Sequence, residues 1–217
     1  MDIERARFNM VEQQIRTWEV LNQETLDLLY IVRREEYVPP AYRSLAFIDM
    51  EIPLGFGETM MPPKMEARIL QEIALKKTDT VLEVGSGSGY MTALLARCAR
   101  HVYSVEIRPQ LKDMAERNLR IHDVDNVTLE LGDAARGWSN HAPYDAIVLT
   151  GSTPLLPNVL LEQLKVGGRL FAIVGDPPVM EARLITSVAP GAYNTINLFE
   201  TCVTPLVNAA QPARFTF

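Results

Sequence analysis

The sequence predicts an α/β protein: a doubly wound, mostly parallel sheet with a C-terminal antiparallel strand pair and an N-terminal helical extension. Three observations carry this expectation. From Thr78 onward, short apolar runs alternate with amphipathic ones, each of a length that suits a strand or a crossover helix. The run Val81-Leu82-Glu83-Val84 passes directly into the glycine-rich turn Gly85-Ser86-Gly87-Ser88-Gly89, the join at which a Rossmann-like sheet begins. Pro190-Gly191 divides two alternating runs, 180–188 and 192–203, which read as the antiparallel pair.

The elements follow in order. Residues 4–17 and 23–32 are expected as helices. Asn22 caps the second, and Leu26, Leu28, Leu29 and Ile31 form its buried stripe. Pro39-Pro40 closes that region. The stretch from Gly55 to Met65, GFGETMMPPKM, reads as a loop held close to a ligand and stiffened by Pro62-Pro63, which open a helix over 65–75. Then come strand 80–84, helix 89–98, strand 102–106, helix 109–121 with Pro109 at its start, strand 127–131, strand 145–149, helix 158–164, a Gly167-Gly168 turn and strand 169–174. One domain is expected over 1–217, with the helical extension and loop in 1–77 and the α/β core in 78–217.

Composition excludes several classes. The chain has 217 residues, of which 47% are hydrophobic, enough for one sizeable core, and a formal charge of −6 disfavours an unspecific grip on nucleic acid phosphates. No apolar run approaches the ~18 residues that span a bilayer, and the N-terminus has no apolar leader core, so no membrane partner and a cytoplasmic location are expected. Cys98 and Cys202 are far apart and are read as free thiols. His101, His122 and His141 fall at element edges, where solvated or capping roles are expected rather than catalysis or metal binding.

The chemistry is carried by three successive strand ends. The glycines at 85, 87 and 89 give GxGxG, whereas a dinucleotide fingerprint needs a glycine where Tyr90 stands. Glu83, two residues before the first glycine, opposes a pyrophosphate and suits a sulfonium or ammonium group, which favours S-adenosylmethionine over NAD. Glu106 ends the next strand, where a carboxylate can accept both ribose hydroxyls. Asp133 follows the third, where it can accept the adenine amino group. A tight strand-to-helix turn or a solvated strand end accounts for each acid or glycine alone; their order along the chain favours the adenosine cofactor.

With these residues in view, VLEVGSGSGY, VYSVEI, LGDA, YDAIVLTG and QLKVGGRLFAIVG resemble the class I S-adenosylmethionine-dependent methyltransferases. RREEYVPPAYRSLAFIDMEIPLGFGETMMPP and the ending CVTPLV are similar to the protein-L-isoaspartate O-methyltransferase family. The resemblance implies methylation of the α-carboxylate of isoaspartyl residues in damaged proteins. It also implies that Glu83, Gly85, Gly87 and Gly89 surround the methionine moiety, Glu106 the ribose and Asp133 the adenine, with Ser86, Ser88, Ile107, Ala134 and Thr150 completing the cofactor set. Thr59 matches the threonine of the family's acceptor loop. Met61 stands where the family has a serine that contacts the acceptor carboxylate, and Glu58 stands for a glutamine. Weak isoaspartyl activity is therefore expected, with Thr59 and Met61 at the chemical position. Met60 and Met61 otherwise read as packed apolar side chains. Two alternatives stay open: another acceptor, such as a small molecule, and a cofactor-binding module without turnover. Asp176-Pro177-Pro178-Val179 resembles a motif of amino-group methyltransferases but follows the wrong strand and lacks its aromatic.

Overall fold

The computed structural model describes residues 2–213. Its α-helices are α1 (Ile3–Asn9), α2 (Gln23–Ile31), α3 (Pro63–Ile73), α4 (Tyr90–Cys98), α5 (Pro109–Ile121) and α6 (Asn158–Glu162). The strands are β1 (Ile52–Gly55), β2 (Glu58–Met60), β3 (Thr80–Val84), β4 (His101–Glu106), β5 (Val127–Leu131), β6 (Tyr144–Thr153), β7 (Leu164–Val174), β8 (Met180–Ala189) and β9 (Ala192–Thr201).

Seven strands form one sheet in the order β5-β4-β3-β6-β7-β8-β9. The first five are parallel, and β8 and β9 are antiparallel additions at one edge. Alternation along the strands feeds two cores. Val81, Ala146, Val148 and Phe171 face a core shared with Met10, Ile15, Leu26, Ile69 and Leu94, so the N-terminal extension is packed into the same interior as the sheet. Leu82, Val84, Ile147, Leu149 and Leu170 face the second core, with Leu160 of α6.

Several expectations are corrected. The helix expected over 4–17 is α-helical only to Asn9; Met10–Ile15 is a π-helix and Arg16–Trp18 a 3₁₀ turn. Met10, Val11 and Ile15 are all fully buried, and i→i+5 spacing brings such a set to one face. Asn22 does cap α2, its Oδ1 accepting from the Thr25 amide at 2.9 Å, but Ile31 is 63% exposed because it lies off the face that Leu26 and Leu29 turn inward. Gly167-Gly168 lies within β7, where the pairing with β6 shifts register, rather than in a turn before it.

The largest correction concerns the stretch read as a loop. It is a β-hairpin: β1 and β2 pair antiparallel, and Phe56-Gly57 make the two-residue turn, with φ of 57° and 83°. Positive φ at both central residues is what the tight hairpin turn that matches strand twist requires. Helix α3 then begins at Pro63, as the proline pair predicts within two residues.

Beyond β9 the chain crosses the end of β6. Ser152 donates its amide to Thr204 O (3.1 Å) and its hydroxyl to Val203 O (3.0 Å), while Leu206 N donates to Ser152 O (2.9 Å). Residues 203–207 thus form a strap over the carboxyl edge of the sheet.

Candidate active site at the carboxyl edge of the sheet

Strand order reverses between β3 and β6, and in a doubly wound sheet that leaves a crevice outside their carboxyl ends. A cleft of about 870 Å³, counted to its open mouth, occupies it. Its walls are the glycine turn after β3, the ends of β4 and β6, the loop after β5, the β1–β2 hairpin and the strap.

The glycine turn is shaped for close approach. Gly85 and Gly87 have φ of +97° and +53°; a Cβ on Gly85 would lie 2.4 Å from Thr150 Oγ1, and one on Gly87 would lie 3.0 Å from Leu54. Thr150 donates its single hydroxyl proton between the carbonyls of Val84 and Gly85, each 2.8 Å away. Glu106, buried at the end of β4, accepts the amides of Gly87 and Arg108, both at 2.9 Å, so it ties the turn after β3 to the end of β4. Each of its oxygens keeps another lone pair. Asp133 accepts from Ala135 N (3.1 Å) and from the Asn208 side chain beyond the strap (2.8 Å). Gly132 has no room for a Cβ, which would lie 2.5 Å from the Trp138 ring.

The opposite wall is the hairpin. Met60 and Met61 are buried and line the cleft together with Thr59, whose hydroxyl donates to Glu51 (3.2 Å) and lies 3.4 Å from the Thr204 hydroxyl. Glu58 also lines it, but the Arg108 guanidinium stands 3.4 Å away and offsets part of the charge that the sequence left bare. Beneath the wall lies Arg34, fully buried. It pairs with Glu66, donates to Met61 O (2.6 Å) and Ala46 O (3.0 Å), and lies over the Tyr90 ring. This fixes the Met61 backbone, and with it the end of the hairpin.

Of the residues singled out in the sequence, Thr59, Met61, Gly85, Ser86, Gly87, Ser88, Glu106, Ile107, Asp133, Ala134 and Thr150 all face this one cleft. Two do not. Gly89 caps α4 at φ +83° and packs on α5, where a Cβ would lie 3.1 Å from Ala115 Cα; its smallness serves helix packing. Glu83 is fully buried beneath the turn and accepts the hydroxyls of Thr92 and Ser104, both at 2.5 Å, while Ser104 in turn contacts Ser86 at 2.6 Å. It supports the turn from below. Sequence reading gave no role to Glu51, Glu66 or the strap, which only the tertiary fold brings to the cleft. His101, His122, His141 and the Asp176-Pro177-Pro178 segment lie outside the lining.

Burial pushes Glu83 up to about 8, against the pull of its two hydroxyl donors; it pushes Glu66 upward too, but there the Arg34 guanidinium in direct contact opposes it. The native Glu83 carboxyl therefore holds a proton that the unfolded chain, with glutamates near ~4.3, has released, whereas Glu66 keeps its charge against the Arg34 guanidinium. The stabilisation is full below that lower value and is lost as pH rises toward about 8. Denaturant midpoints should accordingly fall as pH is raised across this window. Glu83→Gln, neutral at every pH, should flatten part of the slope; an unchanged slope would show that Glu83 does not titrate there.

A doubly wound sheet whose first strand runs into a glycine turn, with a buried acid ending the second, is the arrangement of an adenosine-cofactor fold, and the family match places it in the class of S-adenosylmethionine-dependent methyltransferases. The chain belongs to the protein-L-isoaspartate(D-aspartate) O-methyltransferase family, whose model matches residues 5–209. It is 36% identical over 213 residues to the protein-L-isoaspartate O-methyltransferase of Staphylothermus marinus, covering 94% of this chain and 95% of that one. To the enzyme of the same name from Vibrio atlanticus it is 40% identical over 157 residues, 72% of this chain and 76% of that one. The fold is similar to a Plasmodium falciparum crystal structure described as a protein-L-isoaspartate O-methyltransferase in complex with S-adenosyl-L-homocysteine (TM-score 0.78, 21% identity, 91% of this chain and 96% of that one). Among the described residues no helix is long and apolar enough to cross a membrane.

Proposed function

We propose that this chain transfers a methyl group from S-adenosylmethionine to the α-carboxylate of isoaspartyl residues in peptides and damaged proteins. The observation that carries the reading is that the glycine turn, Glu106 and Asp133 share one continuous cleft with the Thr59–Met61 hairpin. The residues present fit the cofactor. The turn at Gly85 and Gly87, both at positive φ, puts bare backbone against the cleft, Glu106 retains lone pairs for ribose hydroxyls, and Asp133 stands at the loop after β5 for the adenine amine. When bound, S-adenosylmethionine supplies an electrophilic methyl group on a sulfonium.

The chain's own work is then positioning. A carboxylic acid with an ordinary pKa near ~4 is ionised at neutral pH and needs no base. Holding it in line with the methyl carbon is the main contribution, and buried Met60 and Met61 keep water from that end of the cleft. The defining test is incubation with labelled S-adenosylmethionine and an isoaspartyl peptide beside its aspartyl twin. Base-labile label on the first alone is the expected result, and label on neither, with cofactor still bound, would replace this reading with another acceptor. That second reading is favoured by one observation: among the described residues lining the cleft, none is Lys, Arg or His.

Met61 offers a thioether where a hydroxyl could hold the acceptor carboxylate. Met61→Ser should raise kcat/KM on an isoaspartyl peptide by roughly 10- to 150-fold, since a hydrogen bond to a charged group is worth about 1.5–3 kcal/mol. Adding Glu58→Gln should give a smaller further gain, because Arg108 already offsets Glu58. Equal activity of the unaltered protein and the double variant would assign the carboxylate to other donors.

A further inference from the structure

Four of the five carboxylates lining the cleft have a cation or an N–H donor of this chain beside them. Glu58 has Arg108, Glu66 has Arg34, Glu106 has the amides of Gly87 and Arg108, and Asp133 has the Ala135 amide and the Asn208 side chain. Glu51 differs. Among the described residues its carboxylate receives only the hydroxyl of Thr59, at 3.2 Å, and no cation forms an ion pair with it.

That bond has a cost on the other side. A threonine hydroxyl has one proton, and at Thr59 it points to Glu51, so an incoming carboxylate meets lone pairs at Thr59 and a negative charge just behind them. Thr204, at 3.4 Å, is the neighbouring hydroxyl. An anionic acceptor is held better here when something neutralises Glu51 and turns the Thr59 proton outward. A cation brought by the acceptor does both: it replaces Thr59 as the partner of Glu51, and the freed hydroxyl can donate to the carboxylate being methylated.

We propose that Glu51 is a specificity-determining residue that selects isoaspartyl acceptors carrying a cationic side chain, lysine or arginine, next to the isoaspartyl residue. This rests on the isoaspartyl reading given above. Glu51 acts on the acceptor's neighbour and Thr59 on its carboxylate, so the two residues form one coupled recognition unit.

The test uses the full chain and pairs of isoaspartyl peptides identical except for one flanking position, lysine in one and norleucine in the other, with the change made before the isoaspartyl residue in one pair and after it in a second. The ratio of kcat/KM within a pair cancels effects on cofactor binding. The unaltered protein should favour lysine by about tenfold in at least one pair, as expected for a charge-assisted contact. Glu51→Gln should bring that ratio to within about twofold, chiefly by raising the norleucine rate, and ~1 M salt should shrink it in the unaltered protein. Equal rates within both pairs, or a lysine preference that survives Glu51→Gln, overturns the proposal and leaves the isoaspartyl reading standing. Absence of label on all four peptides overturns both.

Discussion

Replacing Arg34 with methionine should lower the stability of the fold by about 3–5 kcal/mol, the range found when one partner of a buried ion pair is removed. Arg34 has no exposed surface, and its loss leaves Glu66 inside the protein without a counter-charge. Two carbonyls, those of Met61 and Ala46, lose their donor at the same time. The damage should exceed stability alone, because the Met61 carbonyl ends the hairpin that walls the cleft. Urea unfolding of Arg34→Met, Glu66→Leu and the double variant would check it. The double variant should recover much of the loss, since an apolar pair of similar volume can replace a buried ion pair. A cost below about 1 kcal/mol for Arg34→Met would mean that water reaches Glu66, and the account of the hairpin's anchor would fall.

Glu106→Ala should weaken S-adenosylmethionine binding roughly 10- to 150-fold, the equivalent of about 1.5–3 kcal/mol for a charged hydrogen-bond acceptor. Two losses combine. The ribose loses its partner, and the amides of Gly87 and Arg108 lose theirs, so the glycine cradle is no longer tied to the end of β4. Glu106→Gln separates these contributions: its amide oxygen can still accept from one backbone amide, so it should retain more affinity than alanine does. Calorimetry on both variants, alongside their unfolding midpoints, gives the answer; unchanged affinity in a folded Glu106→Ala protein would remove the residue from the cofactor site.

The sheet was legible because its signals are local. A short apolar run ending in a glycine turn marks β3, and β4 through β7 repeat short apolar runs placed within a residue or a few at most ends. The hairpin was hidden because β1 and β2 have four and three residues, because Pro53 sits inside β1, and because Phe56-Gly57 is not a usual turn pair. Glu83 illustrates a different failure. Strand alternation already sets it on the face of Val81, toward the interior and α4, yet its nearness to the glycines suggested a ligand; the parity of the strand was the better guide. Gly89 fails for a tertiary reason, since nothing near it in sequence announces that Ala115 of α5 will pack against its backbone. The strap and Glu51 are tertiary in the same sense. Their residues carry a family resemblance, but nothing in them announces a wall of the cleft until the fold sets them across from the glycine turn.

The strap has a temporal consequence. Leu206 packs so closely on Gly151 that a Cβ there would lie 3.0 Å from its Cδ2, and Asn208 holds Asp133, so the cleft's final wall comes from residues synthesised after all nine strands. A nascent polypeptide can complete β3, the glycine turn and the hairpin while residues 203–208 are still inside the ribosome, and at that stage it has an open trough in place of a cleft. The finished pocket therefore arises only after every strand of the sheet has been made, and a product that stops at β9 lacks the enclosure in which a substrate would be held.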